Sequence, residues 1–175
     1  MDRSLAALAG FVRDVPNFPK KGIVFKDITP LLGHGPSFRR SVLRLARVAR
    51  AARANKIVAI ESRGFLFGSA VAAVLGVGVV PVRKKGKLPY KTLSECYALE
   101  YGKDTLEMHV DALRPGDRVL IVDDVLATGG TSAAVARLVK AARARVVGAV
   151  FLIELGFLKG RGKIPHFPVT ALLTY

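Results

Sequence analysis

Only one of the 175 residues is a cysteine, Cys96, and only three are histidines. A lone thiol closes no intramolecular disulfide, which excludes a small secreted scaffold stapled by bridges. With so few His and Cys, no cluster at zinc-ligand spacing can be drawn. Acidic residues are scarce as well: 13 Asp and Glu stand against 28 Lys and Arg, a net charge of +15. Internal repeats and low-complexity tracts are lacking, which argues against a solenoid or an array. What the chain does have is apolar residues, 51% of the total, enough for a buried core and too many for extensive disorder. The length fits one domain, or at most two small ones.

The positive surplus points to anionic partners: nucleic acid, acidic lipid or a polyphosphorylated small molecule. Part of it runs along one expected helix as Arg39, Arg40, Arg44, Arg47, Arg50 and Arg53. The simpler reading of that run is a solvated helix face, so nucleic acid is not expected as a partner. A membrane span is not expected either. No charge falls between Arg63 and Arg83, but Gly68, Gly76, Gly78 and Pro81 interrupt the stretch. Its first half is rich in Ala and Leu and its second half in Val, as in a buried helix, a glycine turn and a buried strand. The N-terminus carries no apolar run long enough for a secretory signal, so a cytoplasmic location is expected.

The pattern predicts a first helix over residues 3–12, a loop over 16–22 and a short extended piece over 23–28. A second helix is expected over 37–54, with Ser37 as its N-cap and Val42, Leu45, Ala46 and Ala49 on one apolar stripe. From there short apolar strands (57–60, 77–82, 119–122, 146–153) alternate with helices (64–75 and 132–144). Near-continuous apolar strands separated by helices imply an α/β fold, a mostly parallel sheet covered by helices on both faces. Residues 84–111 break that rhythm. Leu106, Met108 and Val110 alternate with polar residues as a half-exposed strand would, so a projecting hairpin is expected there, with a Lys-rich loop at its base.

The most informative stretch is Val119-Leu120-Ile121-Val122-Asp123-Asp124-Val125-Leu126-Ala127-Thr128-Gly129-Gly130-Thr131-Ser132. An apolar strand ends in two carboxylates, and a turn of small residues then opens a helix. Backbone N–H groups at a helix start lack partners, and the helix dipole favours an anion there. Gly129 and Gly130 let the backbone approach a phosphate closely, and Thr128 and Thr131 add hydroxyl donors. Asp123 and Asp124 can accept hydrogen bonds from vicinal hydroxyls such as those of a ribose. In open α/β sheets such turns lie where ligands bind.

Asp123-Asp124-Val125-Leu126-Ala127-Thr128-Gly129-Gly130-Thr131 resembles the phosphoribosyl pyrophosphate signature of the type I phosphoribosyltransferases. Within that family the chain is most similar to the members that use adenine. Pro16-Asn17-Phe18-Pro19, the run from Val24 to Leu32, Glu61-Ser62-Arg63-Gly64-Phe65-Leu66-Phe67-Gly68, the run from Arg83 to Pro89, and Leu99-Glu100-Tyr101-Gly102 carry that likeness, in order.

The resemblance implies a single domain over 1–175, with an N-terminal hood over about 1–32 and a lid over about 84–111. It implies that adenine and phosphoribosyl pyrophosphate give AMP and pyrophosphate, with Mg²⁺ bound through pyrophosphate oxygens and water, in a homodimer. Ala127, Thr128, Gly129, Gly130 and Thr131 would hold the 5′-phosphate, and Asp123 and Asp124 the ribose hydroxyls. Arg63, Arg83 and Lys87 would meet the pyrophosphate, with Lys87 extending toward a neighbouring subunit's site. Glu100 would carry the proton of the base while Tyr101 covers the reacting centre. Val24, Phe25 and Lys26 would read adenine, with Leu155 on its other side; Lys26 stands where the family usually has Arg. Two alternatives are a different purine acceptor and a non-catalytic, nucleic-acid-binding regulator of the same fold. The hood, the Glu100-Tyr101 pair and the basic loop favour the enzyme.

Overall fold

A computed structural model describes residues 3–98 and 103–175. The chain divides into two compact units, Met1–Arg44 and Leu45–Tyr175.

The N-terminal unit holds α1 (Arg3–Ala9), β1 (Arg13–Pro16), β2 (Val24–Asp27), α2 (Thr29–Gly33) and the start of α3 (Gly35–Ala51). β1 and β2 form an antiparallel two-stranded ribbon in which Arg13 faces Asp27 and Asp14 faces Lys26. Opposite charges on facing positions fix that register. Arg13 Nη2 lies 2.6 Å from Asp27 Oδ2, and Lys26 Nζ lies 2.7 Å from Asp14 Oδ1. Asp27 also accepts the Thr29 N–H at 2.9 Å, starting α2, and that bond and Arg13 lower its pKa to about 2. The stability this carboxylate lends is complete above its unfolded-state pKa and is lost as the pH falls toward 2.

The expected stripe of α3 is buried at Val42, Leu45, Ala46 and Ala49, while Arg40 and Arg47 are exposed. Its start differs from expectation. Pro36, which suits a first helical turn, lets α3 begin at Gly35, so Ser37 lies inside the helix and is no N-cap. The buried Ser37 Oγ instead sits 2.9 Å from His34 Nδ1.

The second unit comprises β3 (Lys56–Ile60), α4 (Gly64–Leu75), β4 (Gly78–Lys84), β5 (Thr92–Ala98), β6 (Lys103–His109), β7 (Arg118–Leu126), α5 (Gly130–Ala141), β8 (Arg145–Glu154) and β9 (Val169–Thr174). The seven-stranded sheet has the order β5-β6-β4-β3-β7-β8-β9. β4, β3, β7, β8 and β9 run parallel, and β5 and β6 add an antiparallel edge. Ile57 to Ile60, Val119 to Val122 and Val150 to Ile153 are buried without alternation, as strands covered on both faces must be. The uncharged stretch after Arg63 is α4 and β4, and among the described residues no helix is long and apolar enough to cross a membrane.

Three features of this sheet depart from the sequence expectation. β7 runs on through the acidic pair to Leu126, because Val125 and Leu126 continue its pairing with Ile153 and Glu154. The sheet does not close at β8 but gains β9, which pairs with β8 from Ala149 to Glu154. In the β5–β6 hairpin, Leu106 and Met108 enter the core as expected, yet Glu107 on the other face is buried too. Its carboxylate is satisfied by the Gly86 N–H at 2.9 Å and the Ser94 hydroxyl at 3.4 Å. Arg137 of α5 reaches Glu95 of β5 at 2.9 Å and ties the hairpin to the body of the sheet.

Candidate active site at the carboxyl ends of the parallel strands

β3, β7 and β8 end side by side and deliver Glu61, the Asp123–Asp124 pair and Glu154 to one edge of the sheet. After β7, Ala127 to Gly129 turn directly into α5. A cavity of about 60 Å³ opens there, lined by Asp123, Val125, Leu126, Ala127, Thr128, Gly129, Thr131 and Ser132. Thr131 and Ser132 of its lining belong to the first turn of α5, where backbone N–H groups lack helical partners, a setting that suits a phosphate.

Gly129 cannot be replaced without cost. Its φ is +79°, and a Cβ there would lie 2.2 Å from the Gly160 carbonyl oxygen. The turn packs against the backbone of residues 155–160, where the Leu155 N–H also donates to Leu126 O at 2.9 Å. Gly129→Ala combines a left-handed penalty with overpacking and should cost about 2–4 kcal/mol. Calorimetry should show a Tm lower by roughly 5–15 °C. An unchanged Tm would mean that the turn relaxes freely.

Asp124 is buried, and its Oδ2 lies 2.7 Å from Arg63 Nε at the start of α4. Asp123 is half-buried and accepts the Asp124 N–H at 2.9 Å. A Cβ on residue 64 would meet Asp123 Oδ1 at 2.6 Å, so the glycine after Arg63 is what lets α4 start against the carboxylate. Burial, reinforced by the charge of Asp124, pushes the Asp123 carboxyl well above the usual range. Burial raises Asp124 as well, with Arg63 working against the shift. These are acceptors with little water of their own, ready to take hydroxyl donors.

A second cluster surrounds Glu61. Its carboxylate accepts Arg83 Nε at 3.2 Å and the Lys84 N–H at 3.1 Å, and it pairs with the Lys87 ammonium. Arg83 Nη1 in turn donates to Lys87 O at 2.8 Å, closing the turn. Burial works to raise the pKa of Glu61, but Lys87, the Lys84 N–H and Arg83 together hold it below the ordinary value. Lys84 itself turns to Asp104, 3.1 Å away.

The fold thus brings together Arg63, Asp123, Asp124, the turn from Ala127 to Thr131 and Leu155, and it gathers Arg83 with Lys87. In the ribbon, Val24 is exposed, Phe25 is half-buried with its ring edge-on to Phe18 at 5.2 Å, and Lys26 pairs with Asp14. Glu100 and Tyr101 lie outside the described residues. Sequence reading missed Glu61 as the partner of the basic loop, although an acidic residue at the end of β3, just before Arg63, was a signal. It also missed Tyr97, whose buried hydroxyl bonds to Thr131, and Arg161, whose guanidinium grips Glu154 in two bonds of 2.7 and 2.6 Å.

A family model described as the phosphoribosyl transferase domain matches residues 39–167. The adenine phosphoribosyltransferase of Syntrophotalea carbinolica is 55% identical over 168 residues, covering 96% of this chain and 98% of its own. That of Acidothermus cellulolyticus is 55% identical over 95% of this chain and 94% of its own. The crystal structure of adenine phosphoribosyltransferase from Rhodothermus marinus superimposes with a TM-score of 0.95 at 53% identity over the whole of both chains. The Saccharomyces cerevisiae adenine phosphoribosyltransferase, complexed with adenine and an imino-altritol bisphosphate, gives 0.92 at 40% identity over 98% of this chain and 99% of its own.

Proposed function

Because the chain belongs to the adenine phosphoribosyltransferases, which transfer the 5-phosphoribosyl group of phosphoribosyl pyrophosphate to adenine, we propose how its residues divide that work. The reaction gives AMP and pyrophosphate. Ala127, Thr128, Gly129, Gly130 and Thr131 hold the 5′-phosphate, and the supporting observation is the small cavity at the start of α5, lined by that turn and by the half-buried Asp123, next to the buried Asp124. Asp123 and Asp124 accept the two ribose hydroxyls and so place the reacting carbon. Arg63, fixed by Asp124, faces the leaving pyrophosphate together with Arg83 and Lys87.

Mg²⁺ supplies charge neutralisation of the pyrophosphate. Among the described residues no three His, Cys, Asp or Glu side chains converge on a point. A magnesium ion would be held through pyrophosphate oxygens and water, as suits an ion that keeps several of its waters. Glu100 takes the proton of the base and Tyr101 covers the reacting centre, roles that rest on the motif resemblance. The exposed apolar side chains Leu66 and Val74 on α4 and Val79 on β4 support a homodimer that buries them. In this chain the Lys87 ammonium pairs with its own Glu61, so a reach toward a neighbouring site would require that pair to open. The cytoplasm is the proposed location.

Val24, Phe25 and Lys26 read the purine through backbone groups and the Phe25 ring. A two-stranded ribbon pairs only one edge of each strand, which leaves alternate backbone groups of β2 outside the ladder. Adenine offers an amino donor beside a ring-nitrogen acceptor, and hypoxanthine offers the reverse. Fixed backbone groups cannot turn round, so hypoxanthine would leave polar groups unpaired. Sites of that kind discriminate by about 10⁴–10⁵. Lys26→Arg should therefore keep the preference in kcat/KM for adenine over hypoxanthine, whereas Lys26→Pro should reduce it by removing an N–H. An undiminished preference in the Pro variant would contradict backbone reading at this position.

A further inference from the structure

The Glu61 carboxylate sits on two of the three cations assigned to the proposed pyrophosphate site, Arg83 and Lys87. We infer that Glu61 is an internal stand-in for pyrophosphate: it holds Arg83 and Lys87 gathered in the free enzyme and competes with the anion for them. The inference rests on the reading of Arg83 and Lys87 as pyrophosphate ligands. The geometry supports a competitor rather than a simple brace. Glu61 is fixed on both sides, its N–H bonded to Val82 O at 3.0 Å and its Oε2 accepting the Lys84 N–H. Its side chain is only 9% exposed, whereas that of Lys87 is 47% exposed and that of Arg83 35%. The anion is therefore the fixed partner, and the cations are the ones able to swing outward.

Two cations beside one carboxylate carry a net charge of +1, which prearranges them without building a trap for a highly charged product. When pyrophosphate arrives, the ammonium and guanidinium exchange one charge-assisted partner for another. When it leaves, Glu61 recovers them, so the gathered loop persists between turnovers. This lowers the affinity for pyrophosphate and speeds its release.

Titration calorimetry with magnesium pyrophosphate tests this on the wild type and on Glu61→Gln, Glu61→Asp, Arg83→Ala and Lys87→Ala. The Gln variant keeps an acceptor but removes the charge, and its Kd should fall by about tenfold, the scale of one charge-assisted bond. Its product release should slow in pre-steady-state assays. The Asp variant is too short to hold both cations and should bind about two- to threefold tighter than the wild type, which gives a readout even if the Gln variant fails to fold. A role as a brace alone predicts the opposite sign, because loosened cations bind the anion less well. Unchanged or weaker binding in Glu61→Gln or Glu61→Asp would overturn the inference alone, provided the Ala variants bind more weakly than the wild type. Ala variants that bind as the wild type does would overturn the loop assignment and this inference with it.

Discussion

Exchanging both Asp123 and Asp124 for Asn should lower kcat/KM for phosphoribosyl pyrophosphate by about 10²–10⁴-fold while leaving the protein folded. Each carboxylate is proposed to accept a ribose hydroxyl, and a hydrogen bond to a charged partner is worth roughly 1.5–3 kcal/mol. Two such bonds therefore amount to roughly 3–6 kcal/mol, with departures from additivity because the pair shares Arg63. The stability change carries the opposite expectation. Burial raises the pKa of both carboxyls above their unfolded values. A carboxylate raised in this way contributes most below its unfolded pKa, about 3.9, and costs stability as the pH rises through its folded value. The Asn pair removes that cost, offset in part by the lost Arg63 contact. The double variant should thus melt near or above the wild type at pH 7–8, with a flatter decline from acid to neutral pH. Normal donor binding by calorimetry would remove the pair from the ribose site, and a collapsed Tm would make its role structural.

Glu100→Gln is the second variant with a large expected effect. Transfer to the ribose carbon builds positive charge on the sugar, and adenine becomes a better nucleophile as it sheds its ring proton. General acid–base groups contribute about 10²–10⁴-fold, and the amide cannot take the proton, so kcat should fall by that factor. The KM values for adenine and the sugar donor should move far less, because the amide keeps the size and an acceptor oxygen. Single-turnover measurements make the comparison where chemistry limits the rate. A variant with the wild-type rate in that regime would leave the proton transfer to another group.

How far the sequence revealed this site depended on the kind of residue. The buried runs Ile57 to Ile60 and Val119 to Val122, and helix α4 from Gly64 to Leu75, were legible because burial on both faces leaves unbroken apolar patterns. The turn from Ala127 to Gly129 was legible as a strand-to-helix connection because small residues and glycines interrupt the apolar pattern there. β9 was not, since Val169 to Thr174 is mostly half-buried at the sheet edge, follows Pro168 and carries no alternation to mark it. Glu107 fell on the polar side of an expected half-exposed strand, and nothing local in the sequence marked Glu61 for burial. Their burial depends on the return of residues 83–87 across the sheet edge, a long-range contact that no local pattern announces. Ser37 misled for a local reason, because it follows Pro36 and looks like an N-cap while the proline already lies within the first turn.

The central claim is that this chain joins the phosphoribosyl group to adenine, and the direct measurement is product formation by the purified protein. Phosphoribosyl pyrophosphate with magnesium would be offered in turn with adenine, hypoxanthine, guanine and xanthine, and nucleotide and pyrophosphate would be quantified together. The account predicts AMP and pyrophosphate in a one-to-one ratio with adenine, and rates lower by orders of magnitude with the other three bases. Comparable rates with hypoxanthine or guanine, or no AMP from adenine under any of these conditions, would contradict it.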